Sequence, residues 1–366
     1  MTTKTRYFVI VSLLVLTVGM GTGLVAYYVG FPASASAKLG GPDDLRLIPR
    51  DATVVAFANV QEVMSSALRQ KIRAARPEPE NGQRELQEQT GINLETDIDQ
   101  VVACLRADPG GESLPGEGMV LARGRFDEAR IEALMREHGA TVEDYKGARL
   151  IVADVAEAAR LEVEKRRAAG EPVPDVSGRL DHPAAQASFA LAFVEPGLVA
   201  LGSTALIRSA VDLHQGGANP KAGLQAVVGN EELMNLVRSL DSTGNAWAVG
   251  RFDALTLRSR LPQNVASQLP AITWFSVGAR VNGGISGVIR AETRDDEAAG
   301  NLRDVVNGFM ALAKLQAGAR PELQAMMRSL SLGGTGRTVA LSFAVPAEVF
   351  DVIGAGANKP VKPAVH

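Results

Sequence analysis

The chain has 366 residues, 46% hydrophobic and 22% charged, the balance of a folded protein with room for about two average domains. Its 38 Lys and Arg against 41 Asp and Glu give a formal charge of -3, which provides no electrostatic footprint for nucleic acid. A single cysteine, Cys104, excludes an intramolecular disulfide framework and the multi-cysteine zinc and iron-sulfur sites, which need several thiolates at fixed spacing.

After the basic residues Lys4 and Arg6, Phe8 to Ala26 form an uncharged stretch of 19 residues. As a helix it spans about 28 Å, enough for a bilayer core. Tyr7 precedes it and Tyr27 and Tyr28 follow, at the depths where aromatic residues mark membrane interfaces. The expectation is a single-pass signal anchor in the inner (cell) membrane, with residues 1–37 holding the cytoplasmic tip, the helix and a small-residue run. The remainder is then extracytoplasmic and mildly acidic. Ala33 to Ala37 (ASASA) also suits a signal peptidase, and Gly19, Gly21 and Gly23 suit a shorter apolar region ending at Val18. Cleavage near Ala35 or Ala37 would give a secreted or periplasmic protein, but the length of the uncharged stretch favours the anchor.

Thr53 to Asn59 (TVVAFAN) reads as a strand, and Val63, Met64, Ala67, Leu68 and Ile72 follow at helical spacing. Arg76 to Arg84 and Asp108 to Gly118 read as surface connections rich in turn residues. A second strand-helix unit is Met119 to Phe126, with Asp127 as N-cap and Ile131, Leu134, Met135 and His138 on one helix face. A third is Ala246 to Phe252, capped by Asp253. The second and third share Gly-Arg-Phe-Asp, at Gly124 to Asp127 and Gly250 to Asp253.

Each of these units precedes a hairpin and a further helix. Ala187 to Leu201 turns at Glu195-Pro196-Gly197, before a helix through Leu206, Ile207, Ala210 and Val211. Ile272 to Glu292 turns at Asn282-Gly283-Gly284, before helices marked by Leu302, Val305, Val306, Phe309 and Met310 and by Leu323, Met326, Met327 and Leu330. Thr338 to Val345 closes the pattern as a strand, with Pro346 at a helix N1 position. Val155 to Ala169 reads as a solvated helix within an insertion that returns through Gly170 to Pro183.

The expectation is therefore α+β: two related modules, 38–215 and 216–353, each packing helices on one face of a mainly antiparallel sheet. Their boundary falls in Gln215 to Gly223. Residues 354–366 form an aperiodic tail, expected to be disordered.

Thr90-Gly91 to Asp97 and Val101-Val102 form a TGxxxxxDxxxVV segment, and Leu121 to Asp127 an LARGxFD-like strand end. In these segments the chain resembles an uncharacterised family of exported, membrane-anchored bacterial proteins, over about residues 45–350. The resemblance implies two α+β repeats and supplies no activity and no site residue.

The candidate chemistry is sparse. His138, His182, His214 and His366 belong to no ligand pair, and His138 and His214 read as helix C-terminal residues. Cys104, in the apolar run Val101 to Leu105, reads as a buried hydrophobe. Gly284-Ile285-Ser286-Gly287 lacks the spacing of a nucleophile elbow, and Gly333 to Thr338 leads into a strand where a phosphate loop would lead into a helix. Asp97 with Asp99, and Asp295 with Asp296 and Glu297, read as helix starts, and Trp247 and Trp274 as packing residues. Lys165-Arg166-Arg167 is balanced by neighbouring glutamates.

No catalytic, cofactor-binding or metal residue is assigned, and no cofactor. The sequence points to a non-catalytic binding or scaffolding module of the cell envelope, held to the membrane by its N-terminal helix and meeting an envelope protein or another copy of itself. A carrier or sensor for a lipid or other apolar ligand, and an enzyme with a site assembled from distant residues, are the alternatives.

Overall fold

The computed structural model describes residues 43–75, 81–106, 117–154, 188–216, 225–241, 243–252, 271–317 and 321–349. The expected N-terminal anchor, the expected Val155 to Pro183 insertion, Asp253, most of the expected module boundary and the expected C-terminal tail lie outside these residues. Among the described residues no helix is long and apolar enough to cross a membrane.

In chain order the elements are a 3-10 turn at Asp43–Leu47, β1 (Val54–Ala58), α1 (Val60–Ser65), α2 (Ala67–Ala75), α3 (Asn81–Thr90), β2 (Ile98–Arg106) and β3 (Glu117–Gly124). Next come α4 (Glu128–Glu137), β4 (Thr141–Tyr145), β5 (Ala148–Asp154), β6 (Ser188–Glu195), β7 (Leu198–Ser203) and α5 (Thr204–Gln215). A 3-10 turn at Val227–Gly229 leads to α6 (Glu231–Arg238) and β8 (Ala246–Arg251). The chain continues with β9 (Ile272–Val281), β10 (Gly284–Thr293), α7 (Asp296–Ala317), α8 (Pro321–Ser329), β11 (Ser331–Gly333) and β12 (Thr338–Pro346).

All the strands among the described residues join one antiparallel sheet of 12 strands, in the order β11-β12-β10-β9-β8-β1-β2-β3-β7-β6-β5-β4. β1 lies at its middle, pairing with β2 on one side and β8 on the other, so the sheet is continuous across the expected boundary. All five β1 residues are buried, as a β-branched and aromatic strand covered on both faces should be.

Helices cover both faces, which corrects the expectation of helices on one. On the front face α5 and α6 and the Asp43–Leu47 turn pack over Val55, Phe57, Val102, Cys104, Met119, Leu121 and Trp247. On the back face α4 sets Ile131 against Ile151, Leu191 and Val199, α2 sets Leu68 against Val281 and Ile285, and α7 sets Ala299 and Leu302 against Val339. The physical reason is visible in β5, where the consecutive residues Leu150 and Ile151 are both fully buried. Successive strand residues point to opposite faces, so a strand apolar at both needs cover on both.

Two smaller corrections follow. The Arg76 to Arg84 connection gives way to α3 at Asn81, and Pro346 ends β12 where a first helical turn was expected.

The two Gly-Arg-Phe-Asp segments occupy equivalent places. Gly124 pairs with Ile98 at the start of β2, and Gly250 pairs with Val54 at the start of β1. Arg125 N–H donates to Asp97 O at 2.8 Å and Arg251 N–H to Thr53 O at 2.9 Å. Further out the halves diverge. The second strand of the β6–β7 hairpin lies beside β3, whereas the first strand of the β9–β10 hairpin lies beside β8.

Candidate functional site

A charged cluster closes one end of the front face. Asp44 is fixed in the Asp43–Leu47 turn, and Gln100 and Arg123 are cross-strand partners on β2 and β3. Arg123 Nη2 donates to Asp44 Oδ1 at 2.5 Å and to Glu195 Oε1 at 2.8 Å, and Gln100 Nε2 donates to Asp44 Oδ2 at 2.9 Å. Glu195, at the β6–β7 turn, also lies 3.8 Å from Arg46 Nη2 and 3.9 Å from His214 Nδ1 at the end of α5.

The bonded Asp44 carboxylate, followed by Glu195, holds the Arg123 guanidinium above the usual arginine range. A carboxylate as buried as Asp44, 2% exposed, is tolerable only with such partners. The arrangement ties the first described turn to three strands and a helix, and its groups face one another. Sequence reasoning missed it because Asp44 lies far from its partners along the chain; the signal available was an arginine directly after the apolar run Met119 to Ala122 of β3.

The motif segments Thr90 to Val102 and Leu121 to Asp127 meet at a second junction. Gly91, at φ 77°, ends α3 in the left-handed region, and Thr90 Oγ1 accepts the Ile92 N–H at 3.1 Å. Asp97 Oδ2 accepts the Asn93 N–H at 2.9 Å, and Arg125 Nη2 reaches Thr96 O and the Asp97 carboxylate. Asp97 thus caps a turn ahead of β2, not a helix start as expected, and Asp99 lies in β2 itself. Arg130 Nε and Nη2 donate to Gln89 O at 3.1 Å and Glu88 O at 2.6 Å, placing a cation on the carbonyl end of α3. These residues hold a corner of the fold together.

The other residues singled out from the sequence are dispersed. His138 caps α4, its Nδ1 2.8 Å from Leu134 O, while His182 and His366 lie outside the described residues. Cys104 is buried and burial pushes its thiol up to about 12, far from a nucleophile's range. Trp247 stacks on Phe57 with ring centroids 5.9 Å apart. Trp274 lines a shallow depression with Leu236, Ser239, Ser276, Arg290 and Thr338. Gly334 and Gly336, at φ 94° and 55°, make the turn into β12. Asp295 caps α7 by accepting the Ala298 N–H at 2.8 Å. Among the described residues no group of three or more His, Cys, Asp or Glu side chains could hold a metal ion.

The remaining feature is an exposed apolar surface. The first turns of α7 are fixed to the sheet by Ala299, Leu302 and Val306, and by Arg303 Nη2 donating to Gly336 O at 2.9 Å and Thr338 O at 3.0 Å. Its last turns present Phe309, Leu312 and Leu315 outward, at 55%, 51% and 79% exposure. Ile289 is also exposed, on the sheet face that α7 covers.

No family model, curated protein or solved structure matches the chain. The two motif segments serve here the corner between α3, β2 and β3.

Proposed function

We propose that the protein is a membrane-anchored extracytoplasmic binding or scaffolding module of the cell envelope, built from two related halves and working without catalysis. The observation that carries the binding role is the run of exposed apolar side chains on α7. Among the described residues the three most exposed large apolar side chains, Phe309, Leu312 and Leu315, lie on this one helix, and such clustering marks an interaction surface. The Gly-Arg-Phe-Asp segments at equivalent strand ends support descent of the halves from one unit. The uncharged Phe8 to Ala26 stretch supports the anchor.

A photo-crosslinking amino acid at Leu312 of the full chain, irradiated in living cells and followed by mass spectrometry, tests the binding role. A reproducible adduct to a protein or to a second copy, lost when the probe moves to the solvated β4–β5 turn at Gly147, is expected. Equal labelling from both positions would remove the reason for reading α7 as a docking face.

A further inference from the structure

The exposed part of α7 has the spacing of a helix-pairing seam. Asn301, Val305, Gly308, Leu312 and Leu315 alternate steps of four and three residues, which keeps them on one stripe of the helix. Asn301, Gly308, Leu312 and Leu315 are exposed, and Val305 is half-buried. Phe309 flanks the stripe. At Gly308 an added Cβ would meet nothing within 4 Å, so there is room for a large side chain from another helix.

We infer that this stripe pairs with the same stripe on a second copy of the chain, α7 against α7 and antiparallel. In that direction the pairing sets Gly308 opposite Leu312 and Val305 opposite Leu315, and a two-fold axis repeats both pairs. Within Val305 to Leu315 each shorter side chain meets a longer one, so this part of the stripe is its own complement, as a two-fold interface demands, and Asn301 lies outside the paired segment. An unrelated partner would have no reason to match this small-and-large order in reverse.

The area sets the strength. With large apolar side chains of about 150–250 Å² each, the 55%, 51% and 79% exposures of Phe309, Leu312 and Leu315 leave roughly 280–460 Å² of apolar surface per copy. Two copies together fall short of the ~1,000 Å² expected of a stable interface. The dimer is therefore weak and reversible, and it gains from any anchoring that confines copies to one membrane. The inference rests on α7 being a docking face, and it adds the partner.

Cys104 is buried with its thiol pushed up to about 12, so the chain offers a quiet background for cysteine crosslinking. Two differently tagged full-length chains, one Gly308→Cys and one Leu312→Cys, are to be produced in the same cells and treated with a short bismaleimide. The expected product is a dimer carrying both tags, several-fold stronger than either single-tag dimer and lost when Leu315→Lys is added to both chains. Sedimentation of the purified full chain should show mass rising toward twice the monomer with concentration, with Leu312→Glu staying monomeric.

No mixed dimer with a constant mass overturns the inference. So does a mixed dimer no stronger than the single-tag ones, since the antiparallel register then fails. If the cysteines link another protein, the second copy is excluded while the docking face stands. If Leu312→Glu lowers the thermal midpoint of a monomer, another segment of the same chain covers α7 and both readings fail.

Discussion

Arg123 holds Asp44 with two nitrogens, Nη2 to Oδ1 at 2.5 Å and Nε to Oδ2 at 3.3 Å, from a position 79 residues further along the chain. The pair fastens the first described turn to the strand that carries the Leu121 to Asp127 motif. Because Asp44 is 2% exposed, removing it strands the guanidinium beside Glu195 alone. Asp44→Ala should cost about 3 kcal/mol, the low end for a broken buried pair, since the Arg123 side chain keeps some contact with water. Urea unfolding checks this, and Asp44→Ala with Arg123→Ala should cost less than the two single changes together. Strict additivity would mean that the two side chains stabilise the fold independently.

The glycines of the repeated Gly-Arg-Phe-Asp segments should respond alike. A Cβ at Gly124 would overlap Asp97 O, and one at Gly250 would come within 2.6 Å of Thr53 O. Both neighbours are backbone atoms that cannot swing aside. Gly124→Ala and Gly250→Ala should each destabilise by about 1–3 kcal/mol, as overpacking does. Gly283→Ala, with nothing within 4 Å, serves as the mild comparison in the same thermal melts. Indifference at Gly250 would argue against the structural equivalence of the two strand ends.

Stability should carry an acid-sensitive contribution from the α7 cap. The Ala298 N–H and then the Arg294 guanidinium stabilise the ionised Asp295 side chain, holding its pKa below the usual carboxylate value. A depressed folded-state pKa means that the contribution is complete above the unfolded value of about 3.9 and fades as pH falls through the folded one. The difference in thermal midpoint between the native chain and Asp295→Ala should therefore be flat near neutrality and close in acid. A difference undiminished at the acid end would assign the effect to packing.

Cys104 should be silent to thiol reagents in the folded protein. Burial places its pKa at about 12, so almost no thiolate exists at pH 8 and no reagent reaches the sulfur. Maleimide labelling should be negligible in buffer and complete in denaturing urea. Rapid labelling of folded protein would show that the β1–β2 region opens.

Local pattern made much of the fold legible. The β6–β7 hairpin turns at Pro196-Gly197 because Gly197 takes φ 76°, and the Asp127 cap and the Asn282-Gly283 turn act at the range where propensity operates. The continuous sheet was hidden because the pairing of β1 with β8 leaves no trace in either strand. Two-faced cover was hidden too, since a short apolar strand reads alike in a two-layer and a three-layer arrangement. Of the sites, the helix α7 was visible through the periodicity of Leu302, Val305, Val306, Phe309 and Met310, but the outward stripe through Leu312 and Leu315 was not. A helix with Leu302 and Val306 facing the sheet and Leu312 and Leu315 facing outward reads from sequence as one amphipathic element.

The place of β1 in the sheet also orders the events of folding. A chain made from its N-terminus can pair β1 with β2, then β3, and add the β4 to β7 strands as they appear, while the other side of β1 waits for Ala246–Arg251. Until then the nascent molecule carries an open, fully apolar strand edge, the kind of surface that recruits neighbouring chains or chaperones. Truncation before β8 should thus yield an aggregating fragment.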